Sequence, residues 1–196
     1  MECLKIENGK HEMYEHVKVY PVKDFERLRS EFLDNVDLKD GYYLYSDYDS
    51  YSGTFDKHTN NLGNRDNKYK ELFMEMVSEP ISHYCRQWNC GSVTMGTVWT
   101  HKYTRGGYYQ HHTHTFANMG GVIHLVLEDE DDYTHFPDNP DLRIKEGEVV
   151  LFPSMHPHAC MPVKGNKIVL SFNWDMHGDM TDYDRSRVKI ENGGNA

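Results

Sequence analysis

The stretch Tyr108-Tyr109-Gln110-His111-His112-Thr113-His114 is answered farther along the chain by Leu151-Phe152-Pro153-Ser154-Met155-His156-Pro157-His158. Side chains alternate across a strand with period two, so His112 and His114 project from one face. A third imidazole from a distant strand, in the segment that carries His156 and His158, can close a facial set around a metal that keeps open coordination positions. The chain contains 13 histidines, enough for one H-x-H pair to arise by chance, so the flanking segments must decide its meaning.

Working outward, Gly120-Gly121-Val122-Ile123-His124-Leu125-Val126-Leu127 reads as a buried strand. It is apolar and β-branched, and its two leading glycines allow close backbone approach. An acidic turn from Glu128 to Asp132 follows, then a loop broken by Pro137 and Pro140. Leu142-Arg143-Ile144 alternates, Lys145-Glu146-Gly147 turns, and Glu148-Val149-Val150-Leu151-Phe152 delivers the second histidine segment. Past a turn at Lys164-Gly165-Asn166, the run Lys167-Ile168-Val169-Leu170-Ser171-Phe172-Asn173-Trp174 forms a further strand. Short strands at this spacing, with no helical period between residues 92 and 175, predict a mainly β fold. The expected architecture is a double-stranded β-helix, a jelly-roll or cupin-like barrel, with supporting N-terminal helices.

The run from His112 to Leu125, H-T-H-T-F-A-N-M-G-G-V-I-H-L, resembles the first metal-binding motif of the 2-oxoglutarate/Fe(II)-dependent oxygenases. The resemblance is to a group common in phages and marine bacteria, in which H-x-H-P leads into a strand reading roughly S-G-V-Y-Y-L. Leu151 to His158 and Lys167 to Asn173 resemble that group's F-P-S-x-x-x-H and R-x-S-x-S-F-N elements. Trp99 to Asn173 carries the whole similarity. Thr115, Gly120, His124, Lys167 and Val169 stand where the group has proline, serine, tyrosine, arginine and serine.

The resemblance implies Fe(II) held by His112, His114 and His158 as catalytic ligands, with His114 at the usual carboxylate position. It implies 2-oxoglutarate as cosubstrate, its distal carboxylate paired with Lys167, a point charge without the bidentate fork of arginine. Three neutral imidazoles would leave the full metal charge in place until the dianionic cosubstrate binds. The implied activity is that of a hydroxylase acting on a C–H bond and releasing succinate and carbon dioxide; the acidic charge of the chain makes a peptide- or amino-acid-like substrate the expected one. One alternative is a cupin-type three-histidine metalloenzyme or metal-binding module that does not use 2-oxoglutarate. Another is a non-catalytic capsid-like or carbohydrate-binding jelly roll. The cation at 167, and the lack of a cupin glutamate soon after His114, favour the first reading.

Other histidines compete. Alternation puts His111 on the face opposite His112, as a surface or supporting residue. His156 shares the parity of His158, but the resemblance places the ligand at His158. His124 points into the barrel, either as a packed histidine bonded to backbone or as a substrate contact. Cys160 shares the parity of His158, so it lies near the metal or is simply packed.

At 196 residues the chain is long enough to bury a core and is expected to form a single oxygenase domain. Its parts are helical support and a Tyr/Asp-rich loop over 1–91, the jelly-roll core over 92–175 and a polar tail over 176–196. Mean hydropathy is −0.79, no apolar run approaches a membrane span, and the first residues lack secretory signal features. An intracellular, cytoplasmic protein is expected. Cys3, Cys85, Cys90 and Cys160 show no C-x-x-C spacing and read as free thiols. A formal charge of −10 disfavours nucleic acid as a partner and suits a small-molecule or peptide substrate.

Outside the barrel, Asp24 begins a helix with Phe25, Leu28, Phe32 and Val36 on one face. A second helical region runs from Asn67 to Trp88, with a break expected near Pro80. Between them, 41–65 reads as a long irregular segment, either a lid whose tyrosines contact substrate or plain surface. The segment after Asp175 is expected to fray.

Overall fold

The computed structural model describes residues 16–35, 42–43, 50–54, 67–88, 90–114 and 117–178. Strand β1 (Lys18–Pro21) and helix α1 (Phe25–Asn35) come first, then strands β2 (Tyr42–Tyr43) and β3 (Ser50–Thr54) and helix α2 (Asn67–Arg86). The barrel strands follow: β4 (Cys90–Tyr103), β5 (Tyr109–His112), β6 (Met119–Leu127), β7 (Thr134–His135), β8 (Glu148–Pro153), β9 (His158–Cys160) and β10 (Lys167–Gly178). They form a seven-stranded sheet in the order β1-β8-β6-β10-β4-β3-β2 and a three-stranded sheet in the order β5-β9-β7. Every pairing is antiparallel. Two facing antiparallel sheets are the jelly-roll architecture expected from the strand spacing.

The central strands read as nearly continuous apolar runs because both of their faces are buried. Ile123, Leu125, Val149, Leu151, Leu170, Phe172 and Trp174 face the helices, where they pack with Leu28 and Phe32 of α1 and Phe73, Met76, Val77 and Tyr84 of α2. The alternate residues Val122, Val150, Phe152 and Val169 face the barrel interior and pack with Phe136, Ile144, Cys160 and Val163. Gly120 and Gly121 each admit an aromatic ring. A Cβ would lie 2.6 Å from Phe152 Cε2 at Gly120 and 2.2 Å from Phe172 Cζ at Gly121.

Three expectations need correction. Helix α2 runs without a break through the buried Pro80. A proline inside a helix costs about 3 kcal/mol, and burying Met76, Val77, Ile81 and Tyr84 on the sheet returns roughly 1.5–3 kcal/mol per large apolar side chain. The segment 41–65 is not wholly irregular, since β2 and β3 extend the main sheet beyond β4; its other residues lie outside those described. Leu142-Arg143-Ile144 joins no strand. Val36 and residues 179–196 also lie outside the described residues. Among the described residues, no helix is long and apolar enough to cross a membrane.

Candidate metal centre

The small sheet brings the two histidine segments together. His112 of β5 stands directly across from His158 of β9, and Tyr109 across from Cys160. His114 lies just past the end of β5, where its backbone N–H donates to Ser154 O at 2.8 Å. Ser154 N–H in turn donates to Asn118 O at 3.0 Å, so the turn after β8 clamps the H-x-H segment. Ring centroids of His112 and His158 are 4.2 Å apart, those of His114 and His158 5.0 Å, and those of His112 and His114 5.3 Å. One ring nitrogen from each of the three lies within 4.8 Å of the others, and no carboxylate joins the group among the described residues.

Hydrogen bonds fix which nitrogens converge. His112 Nδ1 lies 3.0 Å from Gln110 O, His158 Nδ1 3.0 Å from His156 O, and His114 Nδ1 2.5 Å from Asn173 Oδ1. Oxygens of carbonyls and amides only accept, so each Nδ1 carries the proton and each Nε2 keeps its lone pair. This is the tautomer a metal requires, set by the outer partners of the ligands. Burial, above all, pushes the imidazoles of His112 and His114 below the usual histidine range and that of His158 well below it. Neutral rings at physiological pH are what a divalent cation binds.

A second pole lies deeper in the barrel. Lys167 is 1% exposed, donates to Cys160 Sγ at 3.3 Å and has its Nζ 5.5 Å from the Tyr103 ring centroid. It has no carboxylate partner among the described residues. A chain of rings runs from the histidine cluster toward it. His112 meets Tyr109 at 4.4 Å between centroids, Tyr109 stacks on His101 at 5.5 Å, and His101 Nδ1 lies 2.7 Å from Tyr103 Oη. His101 is pushed down to about 3, first by burial and then by the nearby His112 and Lys167. Its Nε2 is buried without a hydrogen-bond partner among the described residues.

The other histidines sort as follows. His111 is exposed, with its ring 6.0 Å from that of His135. His156 is buried, 5.5 Å from the Phe136 ring, and lends its carbonyl to His158. His124 is fully buried inside the barrel, where its Nε2 accepts from Thr134 N at 3.1 Å and lies 3.0 Å from Thr134 Oγ1. Cys160 is packed beside Lys167. Sequence reasoning passed over His101 and Tyr103 and gave no role to Tyr109 or Asn173. The alternation Trp99-x-His101-x-Tyr103 in a β-branched strand was the available signal for the first two.

No family model and no curated protein matches the sequence of this chain. Solved structures do match its fold. The viral collagen prolyl hydroxylase of Paramecium bursaria Chlorella virus-1, in complex with 2-oxoglutarate, superposes with a TM-score of 0.59 at 14% identity, over 81% of this chain and 95% of its own. A prolyl-4-hydroxylase of Pseudomonas putida gives 0.60 at 12% identity, over 85% and 96%. The α-ketoglutarate-dependent epimerase SnoN of nogalamycin biosynthesis gives 0.56 at 10% identity, over 83% and 79%. The fold of this chain is therefore the jelly roll of the 2-oxoglutarate/Fe(II) oxygenases, present at nearly the full length of the two hydroxylases.

Proposed function

We propose that this protein is a 2-oxoglutarate- and Fe(II)-dependent oxygenase, a hydroxylase of a C–H bond in a peptide- or amino-acid-like substrate. The observation that carries the reading is Lys167, a cation buried in the barrel without a counter-charge among the described residues. A buried charge costs several kcal/mol unless something pairs with it, and the far carboxylate of a dianionic cosubstrate is the partner it lacks.

His112, His114 and His158 would hold the metal through their Nε2 atoms. The chemistry the metal would supply when bound, with dioxygen as the oxidant, is oxidative decarboxylation of 2-oxoglutarate to succinate and carbon dioxide, one oxygen atom entering succinate and the other the hydroxylated substrate. Lys167 would fix the distal carboxylate, and the rings of Tyr109, His101 and Tyr103 form a contiguous chain between the two poles. Two likenesses to prolyl hydroxylases support a peptide-type substrate. The all-histidine set also suits a three-histidine metalloenzyme that does not use 2-oxoglutarate, and the buried Lys167 favours the first reading over that one.

The test is aerobic incubation with Fe(II) and 2-oxoglutarate, first alone and then with proline-containing peptides. Succinate and carbon dioxide should form in equal amounts and faster with an acceptable peptide. Metal-loaded protein that consumes no 2-oxoglutarate under either condition would overturn the proposal.

A further inference from the structure

His114 differs from its two neighbours in how its tautomer is set. His112 and His158 each donate Nδ1–H to the carbonyl two residues back in the chain, a bond that comes with the local backbone. His114 has no such partner. Its Nδ1 reaches Asn173 Oδ1 on β10, 59 residues away in sequence.

The fold makes special provision for that amide. Asn173 lies on the barrel-facing side of β10, two residues from the buried Ser171. Opposite it, β4 carries an extra residue: Phe172 pairs with Val98 and Trp174 with Met95, leaving Gly96 and Thr97 to face Asn173. Bulges of this kind re-aim a side chain beside a functional site. Gly96 is pressed against Asn173, since a Cβ there would stand 3.0 Å from the Asn173 carbonyl oxygen.

We infer that Asn173 is the positioning residue that makes His114 a metal ligand, by holding its Nδ1 protonated and its Nε2 aimed at the other two imidazoles. The inference rests on the metal-site reading above. A carboxylate at position 114 would need no such lock, because either oxygen can ligate in any protonation state that binds metal. An imidazole there does need it, because the tautomer with the proton on Nε2 presents no lone pair. Asn173 is thus the counterpart of the histidine in place of an acid.

The experiment has two readouts. The first uses the metal-free protein with 15N-labelled histidine, in which long-range 1H–15N spectra report the proton position on His114. The wild-type chain should show protonated Nδ1, and Asn173→Leu, which keeps the size but removes the acceptor, should show a mixture of tautomers or protonated Nε2. The second is Co(II) and Fe(II) affinity by calorimetry. Asn173→Leu should weaken binding roughly 10–100-fold, the usual effect of losing an outer partner of a ligand. Asn173→Asp, which restores an acceptor, should bind at least as tightly as wild type.

The decisive comparison is made in a His114→Asp background, where Asn173→Leu should change metal affinity less than threefold. Equal losses in both backgrounds would mean that Asn173 only supports the fold, and the inference fails. It also fails if the His114 tautomer is the same in wild type and Asn173→Leu. A wild-type chain with Nδ1 protonated through Asn173 but without metal affinity would instead refute the metal-site reading, and with it the ligand role assigned to His114.

Discussion

Replacing Lys167 by methionine separates two consequences that a core lysine could not produce together. Methionine preserves nearly all of the side-chain volume and removes the charge. In the metal-free protein the ammonium meets a thiol at 3.3 Å and an aromatic face at 5.5 Å, and no carboxylate among the described residues. A cation over a desolvated ring recovers about 2 kcal/mol, less than the several kcal/mol it costs to bury an unpaired ion. Lys167→Met should therefore stabilise the metal-free protein by roughly 1–3 kcal/mol, read as a rise of about 2–4 °C in Tm per kcal/mol. The same change removes the partner of the cosubstrate's far carboxylate. Loss of one charge-assisted hydrogen bond, about 1.5–3 kcal/mol, raises the half-saturating concentration of 2-oxoglutarate roughly 10- to 150-fold, with metal affinity nearly unchanged. Thermal melts and succinate formation against 2-oxoglutarate concentration measure the two effects. A variant that melts lower and saturates at the wild-type concentration would show Lys167 to be structural and refute the anchor.

His112→Ala or His158→Ala should abolish stoichiometric Fe(II) binding while His111→Ala retains most of it; equal loss in all three, by metal analysis of the purified variants, would mean that the ligands are misassigned. Acid should destabilise the metal-free fold well above the carboxylate range. The unfolded chain protonates His101 near the ordinary histidine value and the folded chain only at about 3, so its contribution is complete above pH 6.5 and is lost as pH falls toward 3. At about 1.4 kcal/mol per pH unit, His101 alone removes roughly 2 kcal/mol by pH 5, and His124 and His158, also held well below the usual range by burial, steepen the loss. Urea midpoints equal at pH 7 and pH 5 would contradict this. Gly121→Ala sets a methyl 2.2 Å from Phe172 Cζ, and Phe172 is wedged against Phe73, so overpacking should cost at least 1–3 kcal/mol, again read from the urea midpoint.

The barrel was legible because β6, β8 and β10 bury both faces, and a strand that does so must be apolar throughout and punctuated by turns. The glycine pair at 120 and 121 likewise declared the close approach that Phe152 and Phe172 fill. What the sequence concealed depends on partners distant along the chain. The strand character of β2 and β3 comes from pairing at the edge of β4, which a run of Tyr, Asp, Ser and Gly does not announce. Pro80 signals a break by its own chemistry, and only the sheet beneath α2 overrides it. Parity put His112 and His114 on one face and the resemblance singled out His158, and the three rings do converge although His114 lies beyond its strand. Parity could not foresee the bulge opposite Asn173, so the amide that sets the His114 tautomer was read as the end of a strand motif and given no role. His101 went unread because its significance lies in standing between His112 and Lys167.

The most direct test of the account is an anaerobic titration of the Fe(II)-loaded protein with 2-oxoglutarate, followed in the visible region. A keto acid bound to the metal through its carboxylate and oxo group, with its far end on Lys167, should produce a charge-transfer band that saturates at equimolar 2-oxoglutarate and shifts to higher concentration in Lys167→Met. Fe(II) bound by the three histidines with no band at any 2-oxoglutarate concentration would contradict the account and leave a three-histidine metal site of another chemistry.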